Sequence, residues 1–235
     1  MTLSILTPSN RNLKGLQVVE KALKRQRVSF EWIIGSPEKP QLDLDFIWVQ
    51  DPPKNEGDVW VFNKLMNQMV RKASHDLIVS IQDYTDFAPD ALEKFIFHYN
   101  NNNKSAVSGV GNKYTDNYYF NKVWQDPRER DDQGTFYETS FDNWEGNFAS
   151  IPKSAIQEVG GFDEELDKHF GMDWYSVNHR IEALGAATFY LDQTNKSYSL
   201  THDRYKGWEE NNAIHGPFQE RAIYYKQVNY KLGYN

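Results

Sequence analysis

Residues 144–185 read WEGNFASIPKSAIQEVGGFDEELDKHFGMDWYSVNHRIEALG. The piece from Asn147 to Ile151 predicts a strand. Pro152 leads from it into a short helix, because a proline is tolerated in a first helical turn. Gly160-Gly161 then end that helix in a turn that only glycines take easily. After Phe162-Asp163-Glu164 and Gly171, Asp173 opens a second helix that carries Arg180 and stops at Gly185. One carboxylate therefore stands at a helix start beside Trp174 and Tyr175, where the helix macrodipole favours its ionised form. The same placement suits an ordinary N-terminal helix cap.

Upstream of this stretch, strands and helices alternate. Leu3 to Thr7 is a short apolar run closed by Pro8, and Leu13, Leu16, Val19 and Leu23 recur at helical spacing. Phe30 to Ile34, ending at Gly35, and Phe46 to Val49 predict strands. Asp58 to Lys72 predicts a helix, and Leu77 to Ile81 a buried strand. Pro89 opens a helix through Ala91, Leu92, Phe95 and Ile96, followed by a strand from Ala106 to Val110. The alternation implies an α/β protein with a mostly parallel sheet flanked by helices on both faces. From Asn112 to Asn143 the order is lost in a polar, aromatic segment that is too long for an ordinary connection and predicts a functional, mobile loop. Beyond Gly185 follow a strand from Ala187 to Leu191, an irregular tail, and a helix from Pro217 to Leu232. The expected organisation is one domain over 1–192, with 193–235 a tail and helical appendage packed on it.

Composition narrows the function. A net charge of −7 argues against a protein whose main task is gripping nucleic acid, while leaving room for a local pocket that takes a small phosphorylated ligand. The chain has no cysteine, which removes disulfides, thiolate metal sites and cysteine nucleophiles together and makes a reducing, cytoplasmic setting the default. No apolar run is long enough for a transmembrane segment, so membrane contact would be peripheral. Aromatics make up 15% of the residues and sit largely in polar contexts such as YTDNYYFNKVW at 114–124. Such rings often line sugar sites, since an aromatic face packs on the C–H face of a pyranose.

In a parallel α/β sheet, ligands sit beyond the carboxyl ends of the strands. Thr7-Pro8-Ser9-Asn10-Arg11 follows the first strand, Asn55-Glu56-Gly57 with Asn63 precedes the buried one, and Gln82-Asp83-Tyr84-Thr85-Asp86 follows it. Together with the GGFDE run, Gly171, Asp173, Arg180 and Gly185, this order resembles inverting family-2 glycosyltransferases of the GT-A fold, over most of residues 2–192. The resemblance implies a nucleotide-sugar donor, UDP- or GDP-linked, and a glycan or other hydroxyl acceptor. It implies Asp173 as the base that takes the acceptor proton. Thr7, Pro8, Arg11, Asn55, Gln82 and Asp83 would lie against the donor, and Asp83, or else Asp86, would hold Mn2+ or Mg2+. His202 would be a late metal ligand, ahead of His215. Arg204 and Lys206 would neutralise the leaving diphosphate, and Trp144, Asn147 and Trp174 would meet the acceptor. Arg180 fits an ion-pair partner of Asp163 or Glu164 better than a substrate contact.

Two departures from the family are visible. Register on Pro89 sets Gln82 and Tyr84 on the usual acidic positions of the Asp-x-Asp motif, with Asp83 between them. The base-recognising Asp after the second strand is missing, which leaves Asp43 or Asp45 as candidates. Two other readings therefore stay open. A sugar-1-phosphate nucleotidyltransferase would carry a glycine-rich loop after the first strand, and TPSNRNLKG at 7–15 is poor in glycine. A non-catalytic carbohydrate-binding protein of the same fold would explain the altered Asp-x-Asp.

Overall fold

The architecture follows from a computed structural model that describes residues 2–10, 13–168 and 173–201. Among the described residues, five helices flank the sheet: α1 (Leu13–Leu23), α2 (Phe62–Lys72), α3 (Ala91–Asn101), α4 (Lys153–Glu158) and α5 (Asp173–Leu184). The strands are β1 (Leu3–Pro8), β2 (Phe30–Ser36), β3 (Ile47–Gln50), β4 (Leu77–Ile81), β5 (Thr85–Phe87), β6 (Ser105–Tyr114), β7 (Lys122–Trp124), β8 (Phe136–Glu138), β9 (Phe148–Pro152) and β10 (Thr188–Leu200). They form one sheet in the order β3-β2-β1-β4-β9-β6-β10-β5, with β7 pairing β6 and β8 pairing β10. As expected of a mostly parallel sheet, β1, β2, β3, β4, β6 and β10 share one direction. β9 runs antiparallel between β4 and β6, and β5, β7 and β8 are antiparallel additions.

Burial explains the pattern. β4 reads LIVSI and is buried at every position, as a strand covered on both faces must be. On one face, Leu16, Val19 and Leu23 of α1 meet Leu92 and Phe95 of α3 over Ile5, Val79 and Phe148. On the other, Leu65, Met66 and Met69 of α2 join Ile156 of α4 and Val177 and Ile181 of α5 over Leu6, Ile33 and Ile151. Each such side chain contributes about 1.5–3 kcal/mol through burial.

Three elements differ from expectation. Helix α2 begins at Phe62, not Asp58, because Asp58 is drawn into a buried ion pair with Lys64 and accepts the Asn55 N–H at 2.7 Å. The strand expected over Ala187 to Leu191 continues through an irregularity between Asp192 and Lys196 to Leu200, so the sheet runs past residue 192. Within the segment from Asn112 to Asn143, β6 continues to Tyr114, and β7, β8 and a 3-10 turn at Phe141–Asn143 follow. The glycine turn is as predicted: Gly160 and Gly161 have φ of 81° and 84°. The expected helix over 217–232 lies outside the described residues.

Candidate active site

Neighbouring β1 and β4 are parallel, but the chain leaves β1 toward β2 on one side and reaches β4 on the other. That reversal opens a crevice at the carboxyl edge, where ligands bind in such sheets. The crevice brings together the loops after β1 and β4. Ser9 Oγ donates to Asp83 Oδ2 at 2.8 Å, and the Ser9 N–H donates to the Gly35 carbonyl at 2.8 Å, tying in the end of β2. Thr7 is buried, its hydroxyl accepting from Trp32 Nε1 at 3.0 Å, while Pro8 is half-buried and Asn10 exposed. Arg11 lies outside the described residues. Asn55 is exposed in the turn that Asp58 closes. Of the two candidates for the missing base contact, Asp43 pairs with Lys24 at 2.8 Å and Asp45 is exposed.

The loop after β4 turns its side chains in two directions. Gln82 is exposed on the crevice side, and its N–H donates to the Asn147 carbonyl at 2.8 Å, joining the edge of β4 to the start of β9. Asp83 is turned inward and only 3% exposed. Tyr84 takes a φ of 61°, sparsely populated for a non-glycine residue. Asp86 is committed to Arg25, to the Tyr119 hydroxyl and to the Phe87 N–H.

A hard dication wants several oxygen ligands, usually carboxylates and waters. Among the described residues no group of three or more histidines or carboxylates is gathered. Asp83 is buried under Ser9, Asp86 is held by a guanidinium, and the exposed group at the edge is the neutral amide of Gln82. The described residues alone do not make up a complete divalent-metal site. His202, Arg204, Lys206 and His215 lie outside them.

On the other side of the crevice, helix α5 starts at Asp173. Gly146 lets the helix come this close: a Cβ there would collide with the Trp174 indole. The first turn of α5 thus stands against the segment that leads to Asn147, which is exposed. Burial pushes the Asp173 carboxyl up to about 6; the negative charge of Asp167 adds to this, and the Trp174 N–H, donating to Oδ1 at 2.7 Å, opposes it. Gly171 lies outside the described residues.

Trp144 and Trp174 sit differently from the expected acceptor platform. They are 3% and 9% exposed, their rings 5.0 Å apart, with Phe162 and Phe189 packed against them. Their large apolar area is buried in the core beneath the site. Arg180 is also buried, donating to the carbonyls of Val159 at 2.7 Å and Gly161 at 2.6 Å, and so holds the glycine turn against α5.

Three further residues shape the site. Asp167, fully buried, accepts from the N–H groups of Asn63 at 2.8 Å and Lys64 at 3.2 Å, capping α2 from the loop before α5. Burial pushes its carboxyl up against those bonds. Arg128 donates to the Asn143 carbonyl and to Ser108 Oγ, both at 3.0 Å, and so fixes the approach to Glu145 and Asn147. Burial favours the neutral form of its partner Asp126, yet the Arg128 bonds prevail and hold it below the usual carboxylate range. Asp51 ends β3, its N–H on the Ser36 carbonyl at 3.1 Å. Among the described residues its buried Oδ1 has no hydrogen-bond partner, and burial pushes the carboxyl up to about 6. The sequence does not single out Asp51, whose one local mark is its place just past the end of β3. No local pattern marks Asp167 or Arg128, whose partners are distant in sequence.

With its ten-stranded sheet flanked by helices, the chain adopts the GT-A glycosyltransferase fold. The Staphylococcus aureus protein TarS aligns with a TM-score of 0.64 at 13% identity, over 86% of this chain and 37% of that one. GalNAc-T7, solved with UDP, GalNAc and Mn2+, aligns at 0.63 and 11% identity over 88% and 45%. The mannosyltransferase PcManGT from Pyrobaculum calidifontis, solved with GDP-Man and Mn2+, aligns at 0.61 and 14% identity over 91% and 61%. The chain thus spans between 37% and 61% of the length of these three structures. No protein-family model and no curated protein matches the sequence.

Proposed function

We propose that the protein is a glycosyltransferase that moves a sugar from a nucleotide-sugar donor to a hydroxyl of a glycan or related acceptor, with inversion at the anomeric carbon. The observation that carries this reading is the placement of Asp173, a half-buried carboxyl in the first turn of α5 packed against the Gly146 segment of a GT-A fold, which burial pushes up to about 6. A general base works best with a pKa near the operating pH. Further support comes from the neighbouring structures, which hold UDP with GalNAc, or GDP-Man.

In this reading the nucleotide lies across the ends of β1, β2 and β3, against the half-buried Pro8 and exposed Asn10, with Arg11 and Asn55 assigned to its margin. The orphaned oxygen of Asp51 accepts an N–H of the base, in place of the missing carboxylate after β2. The sugar sits beside Gln82, and Asn147 offers its amide to the acceptor. Asp173 takes the proton of the acceptor hydroxyl as its oxygen attacks the anomeric carbon. The bond from that carbon to the diphosphate oxygen breaks on the opposite face, and the nucleoside diphosphate leaves with the electron pair. Arg204 and Lys206 are assigned to that leaving charge.

A second reading, a carbohydrate-binding protein without catalysis, is favoured by the inward turn of Asp83 and by Gln82 at the strand end. Incubation with a panel of UDP- and GDP-sugars, with Mn2+ and with EDTA, separates the readings. Nucleoside diphosphate released with one donor supports transfer. Pyrophosphate chemistry on a nucleoside triphosphate and a sugar phosphate would instead make the protein a nucleotidyltransferase. Inertness toward every substrate leaves sugar binding alone.

A further inference from the structure

β6 runs parallel to β4, since both pair antiparallel with β9, and the hairpin that follows it leaves the sheet at the crevice edge. Its base is firmly held. Tyr114, Tyr119 and Tyr198 pack with ring centroids 5.3–6.1 Å apart, and Tyr119 donates its hydroxyl to Asp86. The N–H groups of Leu200 and Thr201 reach the carbonyls of Tyr84 at 2.9 Å and Tyr114 at 2.8 Å. At the tip, the Asp116 carboxylate takes the N–H groups of Tyr118 and Asn121, each at 2.9 Å. Tyr119 itself has a φ of 62°, a conformation that costs a non-glycine residue on the order of 1 kcal/mol or more and persists only where its surroundings impose it.

That reversal sends the Tyr119 ring inward and leaves its two neighbours outside. Tyr118 is 74% exposed and Phe120 84%, their rings 6.3 Å apart and within 18° of parallel. Trp124 continues the surface, with the Lys113 ammonium 5.2 Å over its ring. Among the described residues, packing does not account for two large rings held in water.

We propose that this aromatic ledge is the outer part of the acceptor site and takes a glycan several sugar residues long. The proposal rests on the transferase reading and extends it. The nearly parallel, exposed faces of these rings suit the C–H faces of pyranoses, and the exposed amides of Asn117 and Asn121 suit their hydroxyls. A bilayer is the other partner that exposed aromatics beside lysines would fit. Against it, the net charge of −7 repels anionic lipid, and a carboxylate and two amides occupy the tip. The hairpin is also tied to the loop after β4, by the Tyr119 hydroxyl on Asp86 and by the Leu200 N–H on the Tyr84 carbonyl.

The test compares the whole chain with the double variant Tyr118→Ser, Phe120→Ser on a printed glycan array. Affinity for the best oligosaccharide is then measured by calorimetry, and co-sedimentation with phosphatidylcholine–phosphatidylglycerol vesicles runs in parallel. Both side chains are exposed, so an unchanged circular dichroism melt is expected. The proposal expects oligosaccharide binding that weakens by about tenfold or more in the variant. Oligosaccharide binding of equal strength in the two proteins, no oligosaccharide binding, or vesicle binding in its place would overturn it. UDP- and GDP-sugar binding by the unaltered chain is scored separately. Donor binding without hairpin-dependent glycan binding sinks the ledge and spares the transferase. Hairpin-dependent glycan binding without donor binding sinks the transferase reading instead.

Discussion

The two walls of the crevice treat their carboxylates in opposite ways. On the β1–β4 wall, Asp83 accepts from Ser9, and Asp86 is held by Arg25 and Tyr119. These groups fix loops. On the β9–α5 wall, Asp173 is raised to about 6 by burial and by the nearby charge of Asp167. A carboxyl destabilised in its charged form is ready to take a proton. The difference teaches that acidic residues at strand ends are not interchangeable. Their surroundings decide which one orders the fold and which one is available for chemistry.

The comparison breaks most sharply at Asp173. Asp173→Asn keeps the shape and removes the basic oxygen, so transfer should fall by ~10²-fold or more, the scale of a lost general base. Nucleotide affinity, measured by calorimetry, should stay within about twofold of the unaltered chain. Near-normal transfer by this variant would falsify the assignment.

Asp83→Ala probes the other wall. Removing a buried hydrogen-bond partner leaves Ser9 unsatisfied, and stability should fall by about 1–3 kcal/mol in urea unfolding. Nucleotide affinity should fall with it, equally in Mn2+ and in EDTA, because the damage is to the loop after β1. A loss seen only with Mn2+ would return Asp83 to the role of metal ligand.

A stability measurement sharpens the contrast further. The Asp173 carboxyl is raised in the folded state, so its contribution is most favourable below the unfolded pKa and is lost as pH rises through about 6. Asp173→Asn should therefore be more stable than the unaltered chain at pH 8, by about 1–2 kcal/mol, with the gain gone near pH 4. A constant difference across that range would mean that burial does not shift the group. The smallest effect is expected at Asp51, whose carboxyl is raised by burial alone. Asp51→Asn should cost little stability and change the ratio of UDP to GDP affinity by about threefold to tenfold. An unchanged ratio removes Asp51 from base recognition.

Much of the fold was legible because its signals are local. The apolar run at 77–81, the helical spacing of Leu16, Val19 and Leu23, and the Gly160-Gly161 turn each appear in the structure as expected. β5, β7 and β8 have three residues each, too few to show a period. β10 was read short because Thr194, Asn195 and Lys196 interrupt its alternation where the sheet is irregular. In the site, the position of Asp173 at the start of α5 followed from its flanking glycines. Exposure did not follow from residue type: Trp144 and Trp174 are buried, whereas Tyr118 and Phe120 face solvent. Those fates depend on the glycine contact at Gly146 and the backbone reversal at Tyr119, both set by tertiary packing.

The most direct test of the central claim, that Asp173 is a base poised by its surroundings, is the pH dependence of nucleotide release from the preferred sugar donor at saturating acceptor. The account predicts a rate that rises about tenfold per pH unit below the transition and levels off above pH 6 or so, as Asp173 ionises. A rate that is flat from roughly pH 5 to 7, or one whose profile is unchanged in Asp173→Asn, would contradict it.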